Sequence, residues 1–422
     1  MELGSIQWHV PFCWSGFHIL KLHRHLVENI VLAVEESFTT TTHADKVLER
    51  ILKVQKKWGA RDRRFVAEST YEIVRWWRYL GVLAGFDPTE ITITRDHVWQ
   101  IWAAWCFKTY HELPDWSELR SFDKAGFEER RHKEYPVAIR ESVPQWLYDY
   151  GREHVGPEWD VMLKALNQTA EVFLRTNTLR TTRDELVRKL QFENVHVVEV
   201  DGVPTALRLA ERKNLATTEA FKQGLFEVQD AASQMVAPLL KPESNTTVVD
   251  ACAGGGGKTL HLAALMKNRG RLVAMDVNEG KLGKLLERAQ RNGVKMVSTK
   301  LISPEVLESF HEKADRLLLD VPCSGLGVLR RNPDTKWKIS PEEIQRLQNL
   351  QAEILESYSA MVKPGGMMVY ATCSVMPAEN EHQVRKFLEK HGQDWKLAEE
   401  IHFAPQKQGF DGFYGARLER KS

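Results

Sequence analysis

TVVDACAGGGGKTLHLAALMKN, residues 247–268, runs from an apolar stretch through four consecutive glycines into a second apolar stretch. TVVDACA reads as a buried strand and KTLHLAALMKN as a helix, with the glycines turning the chain between them. The pattern then repeats. RLVAMD (271–276) is a second strand, followed by the helix 278–292; KMVSTKL (295–301) and RLLLDVP (316–322) are strands three and four. A long helix spans 341–362, KPGG (363–366) makes a turn, GMMVYATC (366–373) is strand five, 379–391 is a helix, and FYGARLER (413–420) is a final strand. Strands alternating with helices predict a doubly wound, mostly parallel α/β sheet, with ligands outside the carboxyl ends of its strands.

The turn DACAGGGGKT (250–259) admits two ligands. Its end, Gly257-Lys258-Thr259, matches that of a nucleotide-triphosphatase loop, G-x-x-x-x-G-K-[ST], and RLLLD (316–320) could supply the magnesium-binding acid. The pattern's first glycine, however, is replaced by Cys252, and Asp320 leads into Val-Pro-Cys-Ser-Gly. An adenosyl ligand is the competing reading. Glycines let the backbone approach it at the helix N-terminus, and an acid ending the second strand bonds the ribose. Asp276 stands at that place.

The cysteines at 13, 106, 252, 323 and 373 include no CxxC pair and no zinc spacing, so no metal is expected and a reduced, cytoplasmic chain is. Cys13 and Cys106 read as structural. Cys323 and Cys373 follow strands four and five, which brings both to the sheet edge that carries the glycine turn. Two thiols beside a methyl donor suggest cytosine chemistry: carbon 5 is a poor nucleophile until a thiolate adds to carbon 6. Spacing does not say which of the two attacks.

FEVQDAASQMV, DACAGGGGKT, DVPCSGLGVLRRNPDTKW, VYATCSVMPAENE and DGFYGARLER, with the KPGG turn, resemble the RsmB/Nop/Sun family of RNA 5-methylcytosine methyltransferases. The likeness runs from Phe226 to Arg420, and the LRTN segment extends it to about Ala170. It implies a class I, Rossmann-like methyltransferase domain over 241–422 that uses S-adenosyl-L-methionine on RNA, with ribosomal RNA as the expected partner and transfer RNA as the alternative. It implies Cys373 as nucleophile, Cys323 in product release, Asp320 against the target base and the cofactor's methionine end, and Lys258 beside both. Cys252, Ala253, Gly254, Gly255, Gly256, Gly257, Lys258, Asp276 and Asp320 would hold the cofactor. The family's turn usually reads CAAPGGKT, so Gly254 and Gly255 stand here for Ala-Pro and loosen the loop. The Asp that many members carry after strand three is absent from TKLISPE.

Upstream, 156–240 reads as a small α+β, RNA-recognition-like module: VFLRTN, the helix TTRDELVRKL, VHVVEV, ALRLA, then GLFEVQ leading into a helix. Arg175 and Asn177 there, with Arg330, Arg331 and Lys336 beyond Cys323, are candidate RNA-backbone contacts. Residues 26–155 have helical apolar spacing, matching the family's NusB-like domain in outline. Trp76, Trp77, Trp99, Trp102 and Trp105 are expected in its core. Lys53, Lys56, Lys57, Arg61, Arg63 and Arg64 cluster about Gly59, either as a solvated face or as an RNA patch. Residues 1–25 read as an irregular lead-in without a secretory pattern. A net charge of +1 over 422 residues carries no global nucleic-acid signature, and no apolar run is long enough for a membrane span. A monomer is expected. A non-catalytic RNA-binding assembly protein with the same fold is the alternative from another class, and the pair of cysteines speaks against it.

Overall fold

The computed structural model describes residues 22–422; Cys13 and most of the lead-in lie outside the described residues. Two sheets organise the chain. The first is antiparallel, in the order β2-β3-β1-β4, from β1 (Phe173–Thr176), β2 (Val197–Glu199), β3 (Ala206–Leu209) and β4 (Phe226–Val228). Its helix, Arg183–Phe192, starts where the sequence predicts. The Thr182 hydroxyl accepts from the Glu185 N–H, and the Glu185 carboxylate accepts from the Thr182 N–H.

The second sheet has seven strands: β5 (Thr247–Asp250), β6 (Arg271–Asp276), β7 (Val297–Leu301), β8 (Ala314–Asp320), β9 (Val362–Thr372), β10 (Trp395–Phe403) and β11 (Phe413–Arg420). Their order is β10-β11-β9-β8-β5-β6-β7, parallel from β9 to β7 and antiparallel at β10 and β11. The chain winds outward from β5 through β6 to β7, then returns to lay β8 on the other side of β5. The switch point therefore falls between β5 and β8, where such sheets bind ligands. Val248, Val249, Leu317, Leu318 and Leu319 are fully buried there, because helices cover both faces of the central strands.

Two details differ from the sequence reading. KPGG is a bulge inside β9: pairing passes from Ala314–Val362 directly to Arg316–Met367, and Gly365 takes φ +78°. The strand β10 was not expected. Its run LAEE carries no apolar alternation, because it is an edge strand with most of its residues exposed.

The N-terminal helices pack around Trp77, Trp99 and Trp102, all buried, with Trp76 and Trp105 against that core. Cys106 is buried in the same core, and burial pushes its thiol up to about 12. Gly59 separates helices Ala44–Val54 and Ala60–Arg75. Arg63 beside it caps the first, donating to the carbonyls of Leu52, Gln55 and Trp58 at 2.7, 2.8 and 3.1 Å. Lys53, Lys56, Lys57, Arg61 and Arg64 are exposed. Among the described residues no helix is long and apolar enough to cross a membrane.

Candidate active site

Four chain segments converge at the carboxyl ends of β5, β6, β8 and β9. From β5 the glycine turn enters helix Gly257–Leu265, with Gly254 and Gly256 at φ +52° and +86°. The Gly256 N–H donates to the Ala253 carbonyl (2.9 Å), and a Cβ on Gly256 would lie 2.5 Å from Leu285, so glycine is required there. A Cβ on Gly254 would meet nothing within 4 Å: the loop opens onto free space. At the end of β6, Asp276 spans the turn, one oxygen accepting from the Gly254 N–H (2.9 Å) and the other from the Asn278 N–H (2.8 Å). Each oxygen keeps lone pairs for further donors. Val277 beside it is an exposed apolar side chain.

An open glycine turn at a helix N-terminus, an acid with spare lone pairs and an exposed apolar neighbour fit the methionine, ribose and purine of an adenosyl ligand. The first glycine of a triphosphate loop is Cys252 here, and the lysine is already engaged. Lys258 Nζ donates to Asp320 Oδ2 at 2.6 Å and lies 5.1 Å from the centre of the Phe413 ring. Beneath the pair, Asp250 is buried and its Oδ1 has no partner, while Oδ2 accepts from Thr259 (2.6 Å). Burial, reinforced by nearby Asp320, pushes Asp250 up to about 7. Burial, with Asp250, Asp320 and Asp276 close by, holds the Cys252 thiol well above its ordinary range.

The other two cysteines meet. Cys323 Sγ and Cys373 Sγ are 3.2 Å apart, and the Cys373 N–H donates to Cys323 Sγ (3.3 Å). Two charges at that separation repel, so the pair holds at most one thiolate at a time. The hydrogen bond to Cys373, then burial, hold the Cys323 thiol far above its usual range, which leaves the proton on Cys323.

The expected RNA-backbone contacts are corrected by the structure. Arg175 is buried and donates to Gln229 and to the Gly257 carbonyl. Asn177 is buried and donates to the carbonyls of Gly224 (2.7 Å) and Asn292 (2.9 Å). Arg330 is buried against Asp411 and the Gly409 carbonyl. Arg331, half-buried, is taken by Asp230 and Asp411. Lys336 is buried, donating to the Arg75 carbonyl (2.8 Å) and to Asn167 Oδ1 (3.0 Å). These side chains pin the three parts of the molecule together. Asp334 accepts from the Ala44 N–H (2.9 Å), Trp337 donates to Val74 (2.8 Å), and Lys338 donates to the carbonyls of Ser37, Thr40 and Thr42. A Lys336→Met substitution leaves two buried oxygens without a donor. It is expected to cost about 1–3 kcal/mol in a denaturation experiment while the salt dependence of RNA binding stays unchanged. A salt slope lower by about one would reinstate the phosphate contact.

Sequence reasoning missed Arg288, which donates to the Gly255 carbonyl and to Glu227 and so braces the loop that lacks the usual proline. It also left Glu379 without a role, although that residue lies inside a quoted motif.

Residues 237–419 match the family described as 16S rRNA methyltransferase RsmB/F, and 143–216 match the ferredoxin-like domain of RsmF/B-like methyltransferases. A probable ribosomal RNA small subunit methyltransferase B of Bacillus subtilis is 32% identical over 329 residues, 72% of each chain. The chain belongs to the RsmB/F methyltransferase family. By family and fold this methyltransferase is of the S-adenosyl-L-methionine-dependent, RNA-modifying class. A namesake from Synechocystis is 39% identical over 272 residues, which cover 63% of this methyltransferase and 60% of the relative. The crystal structure of PH0851 superposes with a TM-score of 0.79 at 26% identity, over 95% of this chain and 100% of that one.

Proposed function

We propose that this methyltransferase adds a methyl group to carbon 5 of a cytosine in ribosomal RNA, through a covalent bond between Cys373 and carbon 6. The observation that carries this reading is the thiol pair, 3.2 Å apart, at the strand ends that also hold the glycine turn and the Lys258–Asp320 pair. Held by the turn and Asp276, S-adenosyl-L-methionine supplies an electrophilic methyl group. The chain supplies the rest. The Cys373 thiolate adds to carbon 6, and the electrons of the 5,6 double bond become available at carbon 5. Asp320, oriented by its hydrogen bond from Lys258, hydrogen-bonds the cytosine edge. With Cys373 bonded to carbon 6, the hydrogen bond that held the proton on Cys323 is gone. Cys323 loses that proton to solvent, and its thiolate takes the carbon 5 proton of the methylated adduct. The double bond reforms, and the Cys373–carbon bond breaks with its electrons returning to sulfur. The names of the curated relatives supply the small-subunit ribosomal RNA as substrate class.

The test is direct. Purified methyltransferase, labelled S-adenosyl-L-methionine and small-subunit ribosomal RNA from a strain deleted for the gene should yield 5-methylcytidine by nucleoside mass spectrometry, at one position by bisulfite mapping. Label in another nucleoside overturns the chemistry, and label in transfer RNA alone overturns the substrate.

A further inference from the structure

The thiol pair hangs on a carboxylate that contacts neither sulfur. Glu379 closes the short turn Pro377–Glu379 and is completely buried. Its Oε1 accepts from the Ser324 N–H (2.8 Å) and from Gln351 Nε2 (3.0 Å); its Oε2 accepts from the hydroxyls of Ser324 and Ser374. Ser324 directly follows Cys323, and Ser374 directly follows Cys373. Gln351 also donates to the Pro322 carbonyl (2.9 Å), the residue before Cys323. One carboxyl group thus holds both cysteine-bearing turns, and its hydrogen bonds come entirely from neutral donors. The base of the clamp is itself fixed: the Tyr370 hydroxyl donates to the Glu379 carbonyl (2.6 Å), and Asn380 ties Thr372 to the Ser374 carbonyl.

A buried carboxylate without a cation is costly unless every lone pair is used. A neutral core would pack the turns together more cheaply, so the anion needs a reason beyond stability. Its particular effect is geometric: four charge-assisted hydrogen bonds, short and directional, fix β8's turn against β9's turn. We infer that Glu379 is a positioning residue for methyl transfer, its carboxylate setting the separation of the Cys323 and Cys373 sulfurs by gripping the serine next to each. This rests on the proposed cysteine chemistry and adds to it the device that holds the nucleophile and the releasing thiol in register.

Glu379→Ala and Glu379→Gln in the full chain test it, with Ser374→Ala as a milder variant that keeps the charge and removes one arm. For Glu379→Ala, kcat should fall about 100-fold, the scale of a misplacement near 1 Å, with KM for the methyl donor and for RNA within about twofold. Glu379→Gln, which retains one acceptor oxygen, and Ser374→Ala should each fall about tenfold. The second readout needs no catalysis. Diamide oxidises the two thiols to a disulfide while it is itself reduced to the hydrazine, at a rate set by sulfur–sulfur geometry. That rate, followed by non-reducing peptide mapping, should drop at least tenfold in Glu379→Ala and measurably in Ser374→Ala. Slowed cross-linking with unchanged kcat would overturn the cysteine chemistry and leave the clamp standing. Reduced kcat with unchanged cross-linking in Ser374→Ala would overturn the clamp, as would a loss confined to KM.

Discussion

Cys373→Ala abolishes methyl transfer, with initial rates down by at least about 10⁴-fold, the scale seen when a covalent nucleophile is removed. The expectation follows from cytosine itself. Carbon 5 has no useful nucleophilicity until an electron pair is pushed in from carbon 6, and no other group in the site can push it. Asp320 is occupied by Lys258, and Cys323 keeps its proton under the hydrogen bond to Cys373 and burial. Binding should survive, because the glycine turn and Asp276 lie on other strands. Calorimetry with S-adenosylhomocysteine should give an unchanged affinity, which separates lost chemistry from lost folding. Activity retained in this variant, with loss in Cys323→Ala, would exchange the two roles.

Much of this site is legible in the sequence, and the limits are physical. Central strands of a parallel sheet are covered on both faces, so RLVAMD and RLLLD stand out as apolar runs, and their order along the chain places Asp276 and Asp320 at one edge. Beyond the buried Trp395 the edge strand β10 has little burial and no alternation, and LAEE therefore signals nothing. The five RNA contacts failed for a different reason. A basic side chain has the same letter whether it meets a phosphate or a buried carbonyl. The partners that decide between these lie far away in sequence: Arg75 for Lys336, Asp230 for Arg331, Asn292 for Asn177. Nor does any spacing show that Lys258 reaches Asp320, or that two serines share Glu379.

The segment that follows Cys323 changes meaning accordingly. RRNPDTKWK, 330–338, carries four basic residues, but its polar groups go to the N-terminal helices, to Asn167 and to the carboxylates of Asp230 and Asp411. The same loop that carries the second thiol is thus anchored by the helical domain. Arg175 and Arg288 do the equivalent on the cofactor side, tying the glycine turn to Gln229 and Glu227 beside the small antiparallel sheet. Both non-catalytic parts therefore reach into the site through buried polar contacts, which transmit displacement because each unmade bond is costly.

Cys323→Ala, the second large effect, should convert a turning-over enzyme into one that stops after its first methylation. The first bond-forming steps need Cys373 alone, so a single methyl group should still be incorporated, at a rate within about tenfold of the native one, the scale of a modest acid–base contribution. Release is different. The methylated adduct holds its carbon 5 proton until a base removes it, and only then can the Cys373 sulfur depart. Cys323 is the group best placed, 3.2 Å from that sulfur, and alanine offers no replacement. A protein–RNA species that survives denaturing electrophoresis should accumulate to nearly one RNA per protein, while multiple-turnover rates fall by at least about 10²-fold. Digestion to a Cys373-linked 5-methylcytosine nucleotide, identified by mass spectrometry, would fix the attacking sulfur and the arrested step in one measurement. A variant that turns over freely without an adduct would remove Cys323 from the release step.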